Sequence, residues 1–173
     1  MIPDFYTVQT DWAARVEQIV ELLGRVSAIE EMSGRGLELR RSNRINAVHS
    51  STAIEGNALT LAQVEGVANG EPVYAPPRDV KEVENALAAY DALESLDPWR
   101  VEDFLRAHGL LTAGLMAESG SFRTVDVEIV NAAGEVLHTG SRSDTVPRLV
   151  AELLEWGSAS KDHPLLVSSA RTS

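Results

Sequence analysis

The sequence predicts a mainly α-helical protein with a single β-hairpin. Through most of the chain apolar residues recur every three or four positions, the period of a helix with one packed face. One segment alone alternates with period two, Val125-Asp126-Val127-Glu128-Ile129-Val130, and it is followed by a turn and a short return. The breaks between the periodic stretches are short and carry Gly, Asn or Pro.

The first amphipathic helix is expected over residues 11–32, with Trp12, Val16, Ile19, Leu23 and Val26 on one side. Ser33-Gly34-Arg35-Gly36 breaks it. A second helix, residues 37–55, places Leu37, Ile45, Val48 and Thr52 on one side and stops at Gly56-Asn57, where both residues tolerate the left-handed region. Thr60-Leu61-Ala62-Gln63 reads as a capping box that opens a short helix ending at Asn69-Gly70. Residues 71–77 carry prolines and form an extended connection. Residues 78–96 are helical through Val80, Val83, Leu87, Tyr90, Leu93 and Leu96. Asp97-Pro98 predicts the next start, Asp as cap and Pro in the first turn, for a helix carrying Val101, Phe104, Leu105, His108 and Leu111 that fades near Gly114. The hairpin turns at Asn131-Ala132-Ala133-Gly134 and returns through Glu135-Val136-Leu137-His138. One hairpin buries little by itself, so it reads as a flap over a site. Thr145-Val146-Pro147 opens a helix through Leu149, Val150, Leu153, Leu154 and Trp156, and Asp162-His163-Pro164 starts another. The organisation expected is an N-terminal helical region, residues 1–75, followed by residues 76–173 with the hairpin at about 125–138.

At 173 residues, 44% hydrophobic and 24% charged, the chain can bury a core of its own. It has no apolar run long enough for a membrane span and no secretion signal at its N-terminus, and a cytoplasmic protein is the simplest expectation. The absence of cysteine excludes disulfides, thiolate metal sites and a cysteine nucleophile. A formal net charge of −11 argues against a nucleic-acid partner. Arg35, Arg40, Arg41 and Arg44 cluster just before the Glu55 motif and read as a solvated helix face in preference to an anion site. His49, His108 and His138 lack metal-ligand spacing and read as hydrogen-bonded or surface imidazoles. No metal ligands and no catalytic residues are assigned.

His49-Ser50-Ser51-Thr52-Ala53-Ile54-Glu55-Gly56-Asn57 is the most informative segment. On a helix Ser51 and Glu55 are one turn apart and share a face, and Gly56 supplies the stop. A carboxylate is thereby held at a helix tip, ready to occupy a cationic site. This resembles the inhibitory helix of the Fic family, with its Ser or Thr, three residues, Glu, then Gly or Asn. Other segments resemble the same family in the same order. They are Glu82-Val83-Glu84-Asn85-Ala86, then Phe104-Leu105-Arg106-Ala107-His108-Gly109-Leu110-Leu111, then Gly120-Ser121-Phe122-Arg123-Thr124 leading to Val127-Glu128-Ile129. The resemblance runs from about Leu22 to about Ser169.

The resemblance implies a Fic-like helical bundle with one flap hairpin. It implies a protein that transfers AMP from ATP, with magnesium, to a hydroxyl side chain of a target protein. Ser51, Glu55 and Gly56 would form the inhibitory motif, and Val127, Glu128 and Ile129 would dock the target. The family's catalytic motif, H-P-F-x-[DE]-G-N-G-R-x-x-R, is absent. The one His-Pro, His163-Pro164, is followed by Leu165-Leu166 and fits the helix that precedes the catalytic one. The expectation is therefore a truncated relative with an incomplete core, inactive alone and not expected by itself to hold ATP or Mg2+ well. It should self-associate through exposed apolar residues such as Leu105, Leu111, Leu153 and Leu166. Two other readings stand beside it: an antitoxin-like module that presents Glu55 to a complementary Fic chain, and a helical interaction scaffold.

Overall fold

The computed structural model describes residues 10–33, 36–161 and 167. Among them are α1 (Thr10–Ser33), α2 (Gly36–Ile54), α3 (Leu61–Ala68), α4 (Pro77–Ala92), α5 (Val101–Thr112), β1 (Glu128–Val130), β2 (Val136–Thr139) and α6 (Val146–Ala159). The architecture is mainly α with one antiparallel hairpin, as the periodicities predict. The expected break at Gly34-Arg35, the helix start at Asp162-His163-Pro164 and the apolar Leu166 lie outside the described residues.

The chain divides into two compact units, residues 1–43 with 156–173, and residues 44–155. In the first, α1 leaves Ile19, Leu23 and Val26 exposed, so its apolar face is present but not packed. Leu37, expected on the packed side of α2, is 83% exposed. The second unit holds a core of Ile45 and Val48 from α2, Leu59 and Val64 around α3, and Val83, Ala86 and Leu87 from α4. Val48, Val64 and Val83 are completely buried. Leu37 stands more than two turns before Ile45 on α2.

Local chemistry explains most of the boundaries. The Thr60 hydroxyl accepts from the Gln63 N–H at 3.3 Å and Gln63 Oε1 accepts from the Thr60 N–H at 2.9 Å, the expected capping box. Gln63 Nε2 also donates to the Tyr74 carbonyl at 3.3 Å, which pins the proline-bearing connection to α3. Pro77 opens α4 at its first position, where a missing N–H costs nothing. Three expectations are corrected. First, α4 ends at Ala92, and a 3-10 turn over Leu93–Ser95 replaces its last turn. Second, α5 starts at Val101, not at Asp97-Pro98. The Asp97 carboxylate accepts from the Trp99 N–H at 2.9 Å and the Asp97 carbonyl from the Arg100 N–H at 3.2 Å, so these residues close a turn before the helix. Third, pairing in β1 begins at Glu128, three residues later than the alternation suggests, with a bulge between Ile129 and Val130.

Candidate functional site

The end of α2 is built by a double backbone hydrogen bond. The Gly56 N–H donates to the Ala53 carbonyl at 3.1 Å and the Asn57 N–H to the Thr52 carbonyl at 3.0 Å, a Schellman closure. Gly56 holds φ at 92°, a conformation that a Cβ disfavours. Thr52 is buried and its hydroxyl donates to the Val48 carbonyl at 2.9 Å, so this face of the helix is turned inward. Ser51 and Glu55 lie on the exposed side, one turn apart. Among the described residues neither side chain has a hydrogen-bond or ion-pair partner.

Asn57 does not use the left-handed conformation that it tolerates, since no described residue other than glycine has positive φ. It works through its side chain, which is buried. Asn57 Nδ2 donates to Glu82 Oε2 at 2.8 Å and to the Asp79 carbonyl at 3.0 Å, while its Oδ1 accepts from the Leu59 N–H at 3.0 Å. The helix tip bearing Glu55 is thus stapled to the first turns of α4. Sequence reasoning missed this role. The signal was a polar side chain two residues before an apolar one, the pattern of an Asx turn. Asn85 does comparable work at the other side of α4, donating to the Leu111 and Ala113 carbonyls at 3.1 and 2.8 Å and capping the end of α5. Glu82 and Asn85 both lie in Glu82-Val83-Glu84-Asn85-Ala86, and each joins α4 to a different neighbour.

The second group of site residues lies on the hairpin. Val127, Glu128 and Ile129 are all exposed, and β1 and β2 present exposed side chains throughout. The turn is closed by Asn131, whose Oδ1 accepts from the Ala133 and Glu135 N–H groups at 2.9 and 3.0 Å. The hairpin is anchored at its root. Arg123 donates to the carbonyls of Val125, at 2.7 Å, and Ser141. Asp126 accepts from the Ser143 N–H at 2.6 Å, and that bond, followed by one from the Ser143 hydroxyl, lowers its pKa below the ordinary value. Glu118 accepts from the Thr124 hydroxyl at 2.7 Å and its N–H at 3.2 Å, which likewise hold its carboxyl below the usual range. Beneath the root lies an apolar groove of about 300 Å³, lined by Phe104, Leu105, Met116, Phe122, Val146 and Val150.

No hydrogen bond or ion pair among the described residues joins the α2 tip to the hairpin. Of the clustered arginines, Arg44 pairs with Asp91 on α4, while Arg35 lies outside the described residues. Among the described residues no group of three His, Asp or Glu side chains converges as a metal site. No described helix is long and apolar enough to cross a membrane.

Comparison with solved structures finds close similarity to a Fic family protein from Desulfovibrio desulfuricans G20. Identity is 39% over 94% of this chain and 50% of that one, with a TM-score of 0.84. The fold is also like that of a Fic-domain-containing signaling protein from Bacteroides thetaiotaomicron VPI-5482, at 19% identity over 69% of this chain and 48% of that one, with a TM-score of 0.60. The chain spans about half the length of each of these structures. No family model and no curated protein matches it.

Proposed function

The chain belongs to the Fic family, and on that premise we propose that it carries the regulatory helix and the target-docking hairpin of a protein that transfers AMP from ATP to hydroxyl side chains. Glu55 acts as the brake. The observation that carries this reading is a carboxylate without a partner among the described residues, held on a doubly closed helix end. A helix C-terminus carries partial negative charge, which disfavours a carboxylate there by about 0.3–1 kcal/mol. An incoming guanidinium relieves that repulsion and gains a charge-assisted, often bidentate contact. An arginine that otherwise serves the γ-phosphate of ATP is the occupant the family resemblance implies.

Residues 1–173 carry no Gly-Asn-Gly-Arg cradle, and no acidic or imidazole cluster converges among the described residues. No step through ATP or Mg2+ is therefore assigned to them. Their part is to hold Glu55 where a completed site would meet it and to offer Val127, Glu128 and Ile129 to a target, whose extended segment can add to the exposed strand edge. The second reading, an antitoxin-like module acting on a complementary Fic chain, uses the same Glu55 contact supplied in trans.

The test joins this chain to the half of the Desulfovibrio relative that it does not span and follows labelled AMP transfer. Glu55→Gly should raise transfer, about 10-fold if roughly 1.4 kcal/mol of blocking interaction is lost. Ser51→Ala should do so more weakly. The isolated chain should transfer no label. Unchanged transfer by a folded Glu55→Gly protein leaves the α2 tip as a plain helix end. Inhibition of an intact Fic enzyme by the separate chain favours the module reading.

A further inference from the structure

Two glycines bring the segment that leads into the hairpin onto α5. A Cβ on Gly109 would sit 3.2 Å from Gly120 Cα, and one on Gly120 would sit 3.3 Å from Gly109 Cα. Gly120 also holds φ at 74°, so a side chain there is excluded twice, by the backbone conformation and by the helix it touches. Contact this close leaves the Gly120 N–H shielded by α5, and a shielded donor needs a partner. The partner is His108, whose Nδ1 accepts from the Gly120 N–H at 3.2 Å. Hydroxyls flank this bond on the helix side. The Thr112 hydroxyl donates to the His108 carbonyl at 2.6 Å and stands 3.0 Å from the Ser119 hydroxyl, which donates to the Gly109 carbonyl at 3.0 Å.

We propose that His108 is the positioning residue of the hairpin: by accepting from the Gly120 N–H it clamps the strand root to α5 and sets the direction in which the flap projects. Three residues beyond Gly120, Arg123 grips the carbonyls of Val125 and Ser141 on both arms of the hairpin root. Across this span, Glu118 holds Thr124. The chain of contacts from helix to flap is therefore continuous, and its first link is one imidazole nitrogen. An acceptor at Nδ1 requires the ring proton on Nε2, so the latch selects one neutral tautomer. Nothing else in the link needs a histidine. The link needs an acceptor one bond beyond Cγ.

That requirement makes the latch separable from mere packing. Asparagine places its Oδ1 at the position of histidine Nδ1, whereas glutamine carries its carboxamide oxygen one methylene farther out. The importance of the latch for target docking rests on the flap reading above, but the latch is tested without a target. Because the chain has no native cysteine, Ala88→Cys on α4 and Ala132→Cys at the hairpin turn allow a spin-label distance to be measured in the whole chain. His108→Asn should keep the wild-type distance distribution and the slow exchange of the Gly120 amide. His108→Gln and His108→Ala should lose that protection and shift or broaden the distribution. Equal behaviour of the Asn and Gln variants, or an unchanged distribution in a folded Ala variant, overturns the proposal. Ring-nitrogen NMR of the unmodified chain decides independently of variant folding, since a protonated Nδ1 cannot accept and would end the argument. A hairpin held at a constant angle that binds no target would sink the docking reading and leave the latch standing.

Discussion

Asn57 and Ser51 sit six residues apart and separate structural from functional duty at the α2 tip. Asn57 is buried and its amide is committed at both ends, so Asn57→Ala strands the Leu59 N–H and loosens Glu82. A loss of about 1–3 kcal/mol is expected, because a buried donor left without a partner costs its full desolvation. Ser51 is exposed with no partner in the described structure, so Ser51→Ala should change stability by less than about 0.5 kcal/mol. Urea unfolding of the two variants checks the contrast. A stability loss at Ser51 as large as that at Asn57 would place Ser51 in the fold's own machinery and weaken its assignment to regulation.

The hairpin has no buried side chain in either strand, and its root is tied together by polar attachments. Glu118 and Asp126 supply two of these attachments, both with pKa values lowered from the ordinary 4.5 and 3.8 by hydrogen bonds to Thr124 and Ser143 respectively. A folded-state pKa below the unfolded one gives a contribution that is complete above the unfolded value and is lost as pH falls through the folded value. Acidification to below about pH 4 should therefore loosen the hairpin root before it melts the apolar core of α2, α3 and α4. Amide signals of Thr124 and Ser143 followed through an acid titration should move together, ahead of Val83. Simultaneous loss of all three would mean that the root has no titration of its own.

At the scale of the molecule, surface charge and exposed apolar area point in different directions. The acidic balance should keep nucleic acid binding weak, and any binding should fall steeply as salt rises, the mark of non-specific phosphate contact. Filter binding at two salt concentrations tests this, and tight selective binding at physiological salt would refute it. Ile19, Leu22, Leu23, Val26 and Ile29 are all exposed on α1, and Leu111 is exposed at the end of α5. Apolar surface of that extent on one helix favours burial against a partner. Sedimentation velocity of the isolated chain should show concentration-dependent association that Leu23→Glu reduces. A monomer at every concentration would show that the exposed face is tolerated in water.

The sequence by itself determined the helical character, the single hairpin, the Thr60–Gln63 cap and the helix stop at Gly56, because each depends on interactions within a few residues. The order of short segments also pointed to the family, which the Desulfovibrio structure bears out. Tertiary structure alone decided that Asn57 and Asn85 are staples and that Gly109 meets Gly120. Those outcomes depend on partners 11 to 28 residues away in the chain. Local spacing carries no information about which distant carbonyl or carboxylate a side chain will find. The same reason separates Leu37 from Ile45: both lie on the expected face of α2, but Ile45 is buried with residues of α3 and α4 and Leu37 is exposed.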